Sequence, residues 1–129
     1  MTAQTTREAI EVALQHDLTI DIVTTGVRTG RSRTTEIWFC RVENMIVITG
    51  TPGPRDWYAN LLANPLFVFR LKESMHQELS AVAAPILDRK RRRTVFTHTA
   101  TAWYRNRAGV DALVADSPLV AVSLTLPPE

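Results

Sequence analysis

TTEIWFCRVENMIVIT, residues 34–49, decides the architecture. From Thr34 to Val42 large apolar residues alternate with polar ones, the period of a strand with one face inward, while Met45 to Thr49 is almost wholly apolar and reads as a buried strand. Glu43-Asn44 between them leaves room only for a tight hairpin turn.

The same grammar extends in both directions. Upstream, Leu18 to Thr25 is rich in β-branched residues and stops at Gly26, a further strand. Before it, Thr5 to His16 puts Ala9, Val12 and Ala13 on one helical side, with Thr5 or Thr6 available as cap. Downstream, the glycines and prolines of 49–54 break the chain, and Arg55 to Ala63 has helical composition. Leu66 to Lys72 and Glu78 to Pro85 form a second hairpin around Glu73-Ser74; helix follows from Leu87 to about Arg105 and from Val110 to Ala115, then a strand from Leu119 to Leu126. Six strands joined by connections mostly too short for parallel crossovers predict a mainly β, α+β chain: a six-stranded antiparallel, partly open barrel, one domain over residues 1–129 with a short N-terminal helix.

A net charge of +2 is too small to signal a nucleic-acid binder, but the cations gather at Arg28-Arg31-Arg33 and Arg89–Arg93. The second group falls on a predicted helix and reads as a solvated face, or as a weak contact for an anionic surface. The single cysteine, Cys40, is expected to be a small buried hydrophobe. No long apolar run and no basic, apolar leader is present, which makes the cytoplasm the expected compartment. His16, His76 and His98 have no metal-ligand spacing, and neither a Gly-x-Ser-x-Gly elbow nor a Cys-His pair supplies a nucleophile.

Two stretches carry chemistry. In TTGVRTGRSR, 24–33, Gly26 and Gly30 allow sharp turning and N–H display, while Arg28, Arg31 and Arg33 offer charged donors to phosphate or carboxylate. A soluble basic loop would look the same. In TGTPGPRDWYAN, 49–60, amides at a helix start could meet an anion and Trp57 could stack on a flat ring, or Trp57 and Tyr58 could simply fill core.

Together, TTGVRTGRSR and the WYANLLANP of 57–65 resemble the deazaflavin-dependent nitroreductase and quinone reductase family, whose members carry a Thr-Thr-Gly-Arg-Lys/Arg-Ser-Gly-x-x-Arg strand end and a Trp-Tyr-x-Asn-Leu-x-Ala-Asn-Pro helix. The resemblance covers roughly residues 18 to 72. It implies a flavin-binding-type split β-barrel holding coenzyme F420, whose tail carries a phosphate and glutamate carboxylates. It places Arg28, Thr29 and Arg33 on that tail, with Arg31 in reserve because Val27 stands where an arginine is common. It also places Thr49, Gly50, Thr51 and Trp57 around the cofactor, and Trp38 with Thr51 at the substrate. Pro52 occupies a position where some relatives have a cation.

Strand alternation sends Ile37 and Phe39 one way and Trp38 the other, toward either a cleft or the core. Trp103 and Tyr104 are candidates for an aromatic lip, or for core packing with Phe96. The implied function is hydride transfer from reduced F420 to a quinone, nitroaromatic or activated alkene, the cofactor rather than a side chain carrying the reaction. The alternative is a non-catalytic protein holding FMN, lipid or another apolar ligand. Partners are small molecules, with a homodimer possible for an open barrel.

Overall fold

The computed structural model describes residues 3–128. Its elements are α1 (Ala3–His16), β1 (Thr19–Thr25), β2 (Ser32–Trp38), β3 (Cys40–Val42), β4 (Met45–Thr49), α2 (Asp56–Ala63), β5 (Leu66–Leu71), β6 (Gln77–Pro85), α3 (Arg89–Thr97), a 3-10 turn (Thr99–Thr101), α4 (Ala102–Ala108), α5 (Val110–Asp116) and β7 (Leu119–Leu124). The strands form one antiparallel sheet in the order β2-β1-β5-β6-β7-β4-β3. It curls into the half-barrel of the α+β split-barrel class.

There are seven strands rather than six, because the expected strand 34–42 divides at Phe39. β2 pairs with β1 and β3 with β4, so one run of chain lies at both ends of the sheet order and brings the sheet back on itself. At the break the Phe39 amide donates to the Leu18 carbonyl at 3.0 Å, and the Phe39 ring meets Phe69 edge-on with centroids 5.3 Å apart. Phe39 joins the barrel core with Ile20, Ile22, Phe69, Leu71 and Ile48; Cys40, one residue on, joins a second core with Val47, Phe96, Tyr104 and Leu113 under the later helices.

These two cores explain the two kinds of strand pattern. β1 and β6 face the core on one side and alternate, whereas β4 and β7 are covered on both: Val47 and Leu119 point to the helical core, Ile48 and Val120 to the barrel. Truncating Phe69, which is fully buried, removes enough packing to cost about 3–5 kcal/mol.

Three helical expectations shift. α1 begins at Ala3, so Thr5 and Thr6 lie within it rather than ahead of it; its buried stripe is Ile10, Ala13 and Leu14, and Val12 is exposed. The spacing i, i+3, i+4 is kept, but the larger apolar side chains win the inward face. The helix expected from Leu87 to Arg105 breaks at His98, whose Nδ1 accepts from the Ala100 amide while the buried Thr101 hydroxyl donates to the Val95 carbonyl at 2.7 Å.

Candidate functional site

β1 ends at Thr25, and residues 26–31 make a closed turn before β2 leaves antiparallel to it. The Gly26 amide donates to the Arg31 carbonyl at 2.8 Å, the Gly30 amide to the Gly26 carbonyl at 2.9 Å, and the Arg31 amide to the Thr29 hydroxyl at 3.2 Å. Gly30 has φ +68°, and a Cβ on Gly26 would meet the Thr29 hydroxyl at 2.9 Å, so neither position accommodates a side chain without strain. Asn60 fixes the turn from α2: its side-chain oxygen accepts from the Val27 amide and its nitrogen donates to the Thr24 hydroxyl, both at 3.1 Å. The amides of Gly26, Val27, Gly30 and Arg31 are therefore engaged within the protein. This corrects the expectation that Gly26 and Gly30 display their own N–H groups: both are used to close the turn, and the donors left over are the Arg28 and Thr29 amides and the side chains.

Those side chains border a groove of about 480 Å³ lined by Gly26, Val27, Arg28, Thr29, Arg33, Asp56, Ala59 and Asn60. Among the described residues, neither Arg28 nor Arg33 has a carboxylate partner, and both are exposed. Thr29 accepts a bond with its oxygen and keeps its O–H proton for donation. Asp56 is the one acidic residue on the wall, leaving two cations against one anion. Arg31 is exposed and does not line this groove.

Across the first turn of α2 lies a second opening, a cleft of about 470 Å³ between Thr35–Trp38, Thr49–Thr51, Arg55, Trp57 and Trp103-Tyr104. All three tryptophans of the chain line it. Trp38 and Trp103 meet edge-on with centroids 5.2 Å apart, Trp103 meets Tyr104 at 5.1 Å, and the Arg107 guanidinium stacks 3.6 Å from the Trp103 centroid. Trp38 is half-buried and lines the cleft, Trp103 is exposed at its mouth, and Tyr104 is buried in the helical core. Burial, with the nearby Cys40 second, raises the Tyr104 hydroxyl above its ordinary pKa. Trp57 is 7% exposed and belongs to the barrel core, so only a part of its ring reaches the cleft. The Thr49 hydroxyl donates to the Pro118 carbonyl at 2.6 Å, which ties β4 to the start of β7 and leaves no proton for a ligand.

Groove and cleft share β2: Arg33 stands beside the first, and Thr35 to Trp38 line the second. Five residues of extended chain place them roughly 17 Å apart at most.

The 89–93 run is not one solvated face. Arg89, Lys90, Arg91 and Arg93 are exposed, but Arg92 is 6% exposed and donates to the carbonyls of Ile86, Leu113, Val114 and Ser117 at 2.6–3.2 Å. It thereby satisfies the C-terminal end of α5, where unpaired carbonyls and the helix dipole favour a cation. Desolvation lowers its pKa. The helix register announced this, since Arg92, Val95 and Phe96 share a face. Arg55 was also overlooked: it extends back over the turn, donating to the Thr51 carbonyl at 3.1 Å and hydroxyl at 2.9 Å. Its only sequence signal is its place beside a Gly-Pro turn. Cys40 is buried as expected, its thiol pushed up to about 11 by desolvation. Among the described residues no His, Cys, Asp and Glu cluster could hold a metal, and no helix is long and apolar enough to cross a membrane.

Comparison with known proteins follows the geometry. Residues 2–115 match the family described as F420H(2)-dependent quinone reductase. Among solved structures, an F420 reductase superposes with a TM-score of 0.66 at 19% identity, over 89% of this chain and 92% of that one. The conserved hypothetical protein Rv2991 from Mycobacterium tuberculosis gives 0.64 at 16% identity, covering 96% and 81%. General Stress Protein 26 from Bacillus anthracis str. Sterne gives 0.66 at 14% identity, covering 92% and 88%. At such identities the structures establish the shared fold. No curated protein matches.

Proposed function

The chain belongs to the F420H(2)-dependent quinone reductase family, and from that premise we propose that it binds F420 along β2 and reduces a quinone or a similarly electron-poor acceptor in the aromatic cleft. The observation that carries this reading is the pair of guanidiniums, Arg28 and Arg33, without a carboxylate partner among the described residues, in a groove that opens beside a cleft holding every tryptophan of the protein. A half-neutralised cationic groove fits a multiply anionic tail, and a flat aromatic-walled cleft fits a flat ring. The family description names F420H(2), and FMN finds no support in it.

Bound in this way, reduced F420 supplies a hydride. Arg28 and Arg33 hold the tail phosphate or carboxylates by charge-assisted bonds, and the Thr29 O–H adds a donor. Asn60 keeps the turn in place under them. Trp38, Trp103 and the exposed part of Trp57 exclude water from the ring. The proton comes from solvent: of the cleft's titratable O–H and carboxyl groups, Tyr104 is buried in the helical core and the Glu36 carboxylate is bound to Lys72.

Titration of the purified protein with F420, followed by cofactor fluorescence and by calorimetry, tests the reading. Saturable binding at or below roughly tens of micromolar is expected, and absence of binding at that concentration overturns it.

A further inference from the structure

Resting on that reading, we infer that Arg55 is the specificity-determining cation of the cleft, binding the oxygen of the acceptor on which negative charge develops and so favouring acceptors that carry an oxyanion. Arg55 is the one cationic residue among those lining the cleft. It is half-buried, and among the described residues it has no carboxylate partner; Glu36, at the cleft edge, is exposed and bound to Lys72.

The guanidinium is held but not saturated. Its Nη2 donates twice to Thr51 and its Nη1 once to the Pro54 carbonyl at 3.0 Å. Of five N–H protons, the Nε–H and one on Nη1 therefore have no acceptor among the described residues. A cation fixed by a turn, with donors left over and no counter-ion, beside aromatic walls that lower the local polarity, is a preorganised electrostatic site. Arg55 does not line the groove of Arg28 and Arg33, which separates it from the tail.

The reaction creates the charge this site fits. The C–H bond to be broken in the reduced deazaflavin would give up its hydrogen with the bonding pair; that pair would form the new bond to the acceptor while the acceptor's C=O π pair shifts onto its oxygen, which takes a proton from water, so that the cofactor is oxidised and the acceptor reduced by two electrons. A guanidinium already at that oxygen stabilises the charge without reorganising.

The probes are 2-hydroxy-1,4-naphthoquinone, ionised at neutral pH, and uncharged 2-methyl-1,4-naphthoquinone, each titrated by calorimetry into protein saturated with oxidised F420, which has no hydride to give. Arg55→Gln is expected to weaken the anionic probe by about tenfold or more and the neutral one by less than about threefold, with F420 affinity unchanged. Arg55→Lys, which keeps the positive charge but not the guanidinium fork, is expected to lose less affinity for the anionic probe than Arg55→Gln. Equal losses for both probes, no loss for either, or a loss in Arg55→Lys matching that in Arg55→Gln would overturn the inference, the last by showing that turn geometry rather than charge governs binding. Weakened F420 binding in Arg55→Gln would overturn it as well, by moving the cation to the cofactor. Failure of the unsubstituted protein to bind F420 at all would instead refute the proposed function.

Discussion

Arg92 and Arg33 carry the same guanidinium and stand in opposite physical situations. Arg92 is sunk in the helical core with carbonyl oxygens on four residues around it, while Arg33 stands in an open groove and meets no carboxylate among the described residues. Clustering of cations in sequence does not separate the two, since the denser run holds the buried clamp. What separates them is whether the fold itself supplies the acceptors. Where it does, the charge serves stability; where it does not, the donors stay open to water or to a ligand.

The largest effect is expected from removing the clamp. Arg92→Met fills the space but leaves four buried carbonyls unsatisfied, which at about 1 kcal/mol or more each should cost about 3–5 kcal/mol in urea unfolding. F420 affinity of the folded fraction should be unchanged. A loss under about 1 kcal/mol would break the contrast.

Arg28→Ala and Arg33→Ala should show the reverse pattern. Each should weaken F420 binding by about 1.5–3 kcal/mol, with a loss that shrinks as salt is raised, and should move stability by no more than about 0.5 kcal/mol. Asn60→Ala tests the join between fold and groove. It removes two hydrogen bonds of a residue only 7% exposed, so about 1–2 kcal/mol of stability should go, and with it some affinity, because the Val27 amide is released.

A buried group that titrates gives a further contrast. The Cys40 thiol is raised from 9.0 to about 11 in the folded protein by burial, so the folded state holds its proton more tightly than the unfolded one. Its contribution is complete below pH 9 and is lost as pH rises from 9 toward 11. Cys40→Ala should flatten that alkaline decline in a pH series of unfolding midpoints.

Much of this was legible in the sequence, unevenly. The hairpins around Glu43-Asn44 and Glu73-Ser74 and the helix after Pro54 follow from alternation and turn residues, because local periodicity encodes which face is inward, whereas periodicity alone left Trp38, Trp103 and Tyr104 open between cleft and core. The break at Phe39 was not legible, since Phe39 and Cys40 are apolar neighbours whose different cores exist only once the later helices have packed on β3 and β4. The turn amides were misread for a related reason: glycine permits N–H display, but whether an amide is free depends on a partner such as Asn60, 33 residues away. Arg92 could have been placed by counting three and four residues to Val95 and Phe96, whereas the Arg55 contact with Thr51 depends on a turn that composition does not specify.

The smallest expected effect is also the most direct addition to the contrast. Val27 lines the groove with 55% of its surface exposed, and its amide is held by Asn60, so its side chain leaves the turn from a fixed point. Val27→Arg places a third guanidinium on that wall without removing any contact of the core, so unfolding should shift by no more than about 0.5 kcal/mol. Against an anionic tail the added donor is partly exposed and screened, and F420 should bind about three- to tenfold more tightly at low salt, the gain fading as salt rises. A variant that binds F420 no better at low salt would show that the tail does not run past residue 27, and would leave the free arginines beside it without the ligand assigned to them.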